Sequence, residues 1–148
     1  RPDHPGTLHN RGNALYNLGR YEEALADYNR SLELRPDHPG TLNNKGIALR
    51  KTGHVDEAYE NLRRAAELYR EYLLSNPHDT RASFDFATVL VGSGDPEGAV
   101  QALRLAIAKF PQARGLMLGA LMDLKELADM PGAQECIHLL EGALERGS

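Results

Sequence analysis

Apolar residues recur along this chain at the three- and four-residue spacing of a helix that lays one face on a core. Leu8, Gly12 and Leu15 form such a stripe, with Ala14 and Leu18 alongside, and predict a helix of about three turns. Gly19 stops it, because glycine readily takes the left-handed backbone that closes a helix. Tyr21, Ala24, Leu25, Tyr28, Leu32 and Leu34 then mark a second helix, ended at Pro36, which cannot continue one. The pattern restarts with Leu42, Gly46, Leu49, a stop at Gly53, and Val55, Ala58, Tyr59, Leu62, Ala65 and Ala66. Aligned directly, residues 1–34 and 35–68 are identical at 18 of 34 positions. A fixed period of this length is the signature of stacked repeats.

The second copy then breaks the period. Its second helix is predicted to run on through Tyr69, Tyr72 and Leu73 to about residue 75, so that residues 73–79 are an insertion before the pattern resumes. A third unit follows at 80–113, with Phe84, Ala87 and Leu90, a break at Gly92-Ser93-Gly94, then Ala99, Leu103, Ala106 and Pro111. A degenerate fourth, a possible cap, occupies 114–148, with helices expected near 114–128 and 131–146. The first two repeats are read as 5–38 and 39–72. The whole chain, 1–148, is thus expected to be a single all-α solenoid domain of about eight helices in antiparallel pairs, without strands. Gly12 and Ala24, like Gly46 and Ala58, are small where a bulky side chain would hold paired helices apart. Pro5, Pro39 and Pro96 suit first helical positions, where the missing N–H is not needed.

These residues resemble the tetratricopeptide repeat, a 34-residue helix–turn–helix with a Leu-Gly…Tyr…Ala…Pro pattern. The matching positions are Leu8, Gly12, Leu15, Gly19, Tyr21, Ala24, Tyr28 and Pro36 in the first unit. In the second they are Leu42, Gly46, Leu49, Gly53, Ala58, Leu62 and Ala65, and in the third Ala87, Leu90, Gly94, Ala99, Leu103, Ala106 and Pro111. The fourth keeps Leu124, Ala133 and Ile137. Arg11 and Lys45 depart from the pattern, since an apolar residue is more usual there, and Arg70 stands where the family carries proline. The resemblance implies a right-handed superhelix whose first helices line a concave groove, and a scaffold or adaptor rather than an enzyme.

On each first helix, the face opposite the apolar stripe carries Gly6, Asn10, Asn13 and Asn17, then Gly40, Asn44, Ile47 and Lys51, then Arg81, Asp85, Thr88 and Gly92, and finally Gly115, Gly119, Met122 and Glu126. Asparagine is a mediocre helix former, so four of them on two such faces call for a reason. An amide has two donors and an acceptor, suited to both polar groups of a peptide backbone. Asn10, Asn13, Asn17, Asn44, Lys51, Arg81 and Asp85 are therefore the candidate peptide-binding residues. Asn10 and Asn44 also resemble the asparagine ladder in the superhelix of O-linked N-acetylglucosamine transferases. Asn13, Asn44 and Arg81 partly resemble the carboxylate clamp of chaperone-adaptor repeats. Asp85 would repel a carboxylate, which favours backbone recognition.

Composition narrows the alternatives. The net charge of −4 offers no basic excess for nucleic acid, and no apolar run is long enough for a membrane span. The second repeat is the most cationic stretch and residues 114–148 the most acidic. The single cysteine, Cys136, excludes an internal disulfide and fits a reducing compartment, from which a cytoplasmic location is expected. The chain opens in mid-motif, as though upstream sequence were missing. Six histidines contain no i, i+4 pair and no cysteine cluster, so neither a metal nor a cofactor is expected. Gly92-Ser93-Gly94 lacks the spacing, preceding strand and lysine of a phosphate loop, and no catalytic residues stand out. The expected partner is a protein or peptide. The alternatives are homo-oligomerisation through the extended helix at 69–75 or the apolar last repeat (Leu116, Met117, Leu118, Leu121), or service as the repeat region of a larger enzyme or sensor.

Overall fold

The structure, a computed structural model, describes residues 4–147. Among them it contains eight helices and no strand: α1 (Pro5–Asn17), α2 (Tyr21–Leu34), α3 (Pro39–Lys51), α4 (Val55–Ser75), α5 (Thr80–Gly92), α6 (Pro96–Lys109), α7 (Arg114–Glu126) and α8 (Ala133–Arg146). The helices divide into two compact units, residues 4–68 and 69–147, and the dividing line falls inside α4.

In the first unit the chain folds into helical hairpins. Gly19 and Gly53 turn the chain at φ +78° and +86°, a backbone that side-chain-bearing residues rarely adopt. The Ser31 hydroxyl donates to the Pro5 carbonyl at 2.9 Å, so the end of α2 lies beside the start of α1. Arg64 of α4 reaches Asp37, ahead of α3, at 3.1 Å, so α4 runs back along α3 as α2 does along α1. Close crossing depends on the small residues. A Cβ built on Gly12 would lie 2.6 Å from the Tyr28 ring, and one on Gly46 2.6 Å from Leu62 Cγ. Ala24, Leu25, Tyr28, Ala48, Leu49 and Ala58 form one apolar cluster, with Leu15 and Tyr16 packed against it. Arg11, unusual for its position, is held by Asp27 through two hydrogen bonds of 2.7 and 2.9 Å.

The second unit repeats the device. Asp79 caps α5 by accepting from the Ala82 N–H at 3.0 Å, and Asp95 caps α6 through the Gly98 N–H at 3.0 Å. Lys109 at the end of α6 donates to the Pro77 carbonyl ahead of α5, 2.6 Å, and Arg114 at the start of α7 donates to the Leu144 carbonyl near the end of α8, 2.7 Å. Phe84, Leu103, Met117, Leu124, Leu127 and Leu140 are fully buried. The last hairpin departs from expectation at its turn, since α7 ends at Glu126 rather than near 128 and α8 begins at Ala133 rather than 131. The intervening residues are tied into turns by the Met130 N–H donating to the Leu127 carbonyl at 2.8 Å. Gly132 then enters α8 at φ +88° and so close to Pro96 that a Cβ would lie 2.6 Å from it.

Candidate functional site

The asparagine face of the first unit is built by α1 and α3. Asn10 and Asn17 are exposed on α1, and Lys51 is exposed at the end of α3. Asn13 and Asn44 are half-buried and joined, the Asn44 amide donating to Asn13 Oδ1 at 2.8 Å. The same oxygen accepts the Tyr28 hydroxyl at 2.6 Å. Both lone-pair directions of Asn13 Oδ1 are thus taken, and its nitrogen lies 3.3 Å from His9 Nε2. Asn13 serves as the bracket that fixes Asn44. Tyr28 is buried, and burial, then Asp27, raises its hydroxyl well above the usual range, so it is a permanent donor to this bracket.

His9 extends the arrangement beyond the residues singled out in sequence. Its Nδ1 lies 2.8 Å from Thr41 Oγ1, and the same hydroxyl lies 2.8 Å from His38 Nδ1. Sequence reasoning missed this cluster because its members are 3 to 32 residues apart. A signal existed in the comparison of the two copies. Where the first repeat has Asn13 and Tyr28, the second has Ile47 and Leu62.

In the second unit, Arg81 and Asp85 stand one turn apart on α5, Arg81 exposed and Asp85 half-buried. Burial pushes the Asp85 carboxyl up to about 6, against the opposing pull of Arg81 and of Tyr69, whose hydroxyl makes a long 3.5 Å contact with it. Asp123 on α7 is pushed the same way, to about 6, by burial of its carboxyl and then by Asp85 and Glu126. Its residue surface is open to solvent, so water screens that effect. The arrangement is acidic, poorly compensated and hostile to a second carboxylate. Cys136 is buried and its thiol pushed up to about 11 by burial, which leaves it a weak nucleophile. Among the described residues, no group of three or more His, Cys, Asp or Glu is placed to hold a metal ion, and no helix is long and apolar enough to cross a membrane.

Paired helices with a glycine in the turn inside each pair, at Gly19, Gly53, Gly94 and Gly132, and with Gly12 and Gly46 at close crossings, define a helical-repeat protein. The tetratricopeptide repeat profile matches residues 3–71 and again 40–112. The chain belongs to the tetratricopeptide repeat family, whose members are scaffolds for protein–protein interaction and typically non-catalytic. Among solved structures, it is similar to MamA of Desulfovibrio magneticus RS-1 (25% identity, 99% of this chain and 78% of that one, TM-score 0.52). A double mutant of RS-1 MamA gives 25% identity over 96% of this chain and 75% of that one, TM-score 0.50. Another MamA crystal structure shares the fold at 16% identity, covering 98% and 81%, TM-score 0.52. No curated protein sequence gives a significant match.

Proposed function

We propose that this chain is an interaction module that binds an extended peptide or partner tail, reading its backbone with the side-chain amides of Asn10 and Asn44. The observation that carries the reading is the bracket at Asn13. By accepting from both Tyr28 and Asn44, it fixes the Asn44 amide and leaves that amide's other polar groups for a ligand. Asn17 and Lys51 continue the same faces toward the helix ends. In the second unit, Arg81 and Asp85 present a paired charge, and Asp85 works against a carboxylate terminus and in favour of basic ligand groups. The role is that of an adaptor without chemistry of its own, in keeping with a family of scaffolds, and we place it in the cytoplasm.

The test is an Asn10→Ala/Asn44→Ala double variant against a peptide selected by display on the wild-type protein. Affinity is expected to fall by about tenfold or more, two lost backbone contacts at about 1 kcal/mol each, with the helical circular dichroism unchanged. Unchanged affinity would refute the assignment. A second reading, self-association, is favoured by apolar side chains at the surface: Leu74 at 81% exposure beside Tyr72 on α4, and Leu118 and Met122 on α7. Met117, by contrast, is fully buried and unavailable for it. Light scattering on the same preparations separates the two readings.

A further inference from the structure

We propose that His9, Thr41 and His38 form a proton-operated latch that fastens the first helical hairpin to α3 and is released by mild acid. The geometry of its hydrogen bonds admits one assignment of donors and acceptors. His38 is the N-cap of α3 and accepts the Thr41 backbone N–H on Nδ1 at 3.2 Å, so that nitrogen carries no proton. The Thr41 hydroxyl, 2.8 Å away, shares that single lone pair as the second donor of a three-centre bond. With its proton committed to His38, Thr41 Oγ1 accepts from His9 Nδ1 at 2.8 Å. His9 Nε2 is left as the acceptor for the Asn13 amide nitrogen at 3.3 Å, and Asn13 cannot turn over without losing Tyr28 and Asn44. Each of these contacts sets a donor against an acceptor if both imidazoles are neutral. A proton on His38 Nδ1 would face the Thr41 N–H and place a positive charge at the positive end of α3. A proton on His9 Nε2 would face the Asn13 amide.

Among the described residues, the charge that acts on both rings is that of Arg35, of the same sign as an imidazolium. The ionisable groups around the pair are Tyr28 from α2, Arg35 ahead of α3, and the two rings themselves, 5.6 Å apart. Asp37, the neighbour of His38 in sequence, is engaged by Arg64 of α4 at 3.1 Å. Burial first, then Arg35, holds both rings below their usual range, and His9 adds to the effect on His38. Groups lowered in this way contribute stability that is complete above the unfolded value of 6.5 and is lost as pH falls through the folded value. Nor does the fold require the polar chain. The second repeat fills two of its positions with buried Ile47 and Leu62, and the third caps its first helix with Asp79.

The experiment is hydrogen exchange of the full chain near pH 7.5 and near pH 5, corrected for intrinsic rates, beside a His9→Asn/His38→Asp variant built from residues the chain uses at equivalent positions, Asn43 and Asp79. Protection of α1 and the start of α3 is expected to drop about tenfold in wild type on acidification, with α8 unaffected, and the variant is expected to lose that difference. Equal wild-type protection at both pH values, or a variant that keeps the response through His4 or His54, overturns the proposal. Imidazole nitrogen NMR at neutral pH gives a check that needs no variant. The expected tautomers are Nε2–H for His38 and Nδ1–H for His9, and a proton on His38 Nδ1 overturns it.

Discussion

A methyl group on Gly46 would sit 2.6 Å from Leu62 Cγ and 3.2 Å from the Ala58 carbonyl oxygen, both inside the packed crossing of α3 and α4. The same group on Gly119 of α7 would meet nothing within 4 Å. Helix propensity favours alanine over glycine by about 1 kcal/mol at either place, so the neighbours decide the sign. Gly46→Ala is expected to lower stability by about 1–3 kcal/mol, since the crossing must open, while Gly119→Ala raises it by up to about 1 kcal/mol. Urea unfolding of the two variants measures both. At this scale the sequence was a good guide where a rule is local. Glycine at the crossings and stops, and proline at first helical turns, could be read directly. The pairing of Asn13 with Tyr28 and Asn44 could not, because hydrogen-bond partners 15 and 31 residues apart become neighbours only after the hairpins have packed.

Among the elements, α4 is the one that differs from its counterparts, at 21 residues against 13 or 14 for the others. The absence of proline at position 70 allows the backbone hydrogen bonding to continue to Ser75, as the apolar pattern predicted. What that pattern could not supply is the fastening of the extension. The Tyr72 hydroxyl donates to Asp79 at 2.6 Å, and Asp79 in turn caps α5. Tyr72, followed by the Ala82 N–H, holds the Asp79 carboxyl below the ordinary range. A lowered carboxyl adds stability above its unfolded value of 3.8, and that stability disappears as pH falls through the folded value. Tyr72→Phe is therefore expected to raise the Asp79 titration point toward normal in a carboxyl NMR titration. The variant is less stable than wild type at neutral pH, and the gap closes at strongly acidic pH. An unchanged Asp79 titration would show that the helix cap alone sets it. The last hairpin was less legible: a break read at Met130-Pro131-Gly132 put the end of α7 near 128, whereas α7 stops at Glu126 and turns lead on to Gly132, where α8 is entered.

For the molecule as a whole, repetition made the architecture legible. Two near-copies in the first 68 residues were enough to predict helical hairpins throughout, and the family assignment agrees. The candidate site was legible as a face of α1 and α3, not as a network, since a single helix face reveals which residues share a side but not which of them are already occupied. The boundary between the two compact units was not foreseen either; it lies between residues 68 and 69, in the middle of continuous helix. Proteases need a stretch of extended or locally melted backbone, which an intact helix withholds. Brief digestion of the native protein should therefore spare residues 68 and 69. The first cuts are expected in the exposed segment 76–78 that follows α4, read by mass spectrometry of the fragments. The amino-terminal fragment would then keep α4 entire, and its last seven residues would be a handle carried over from the other half.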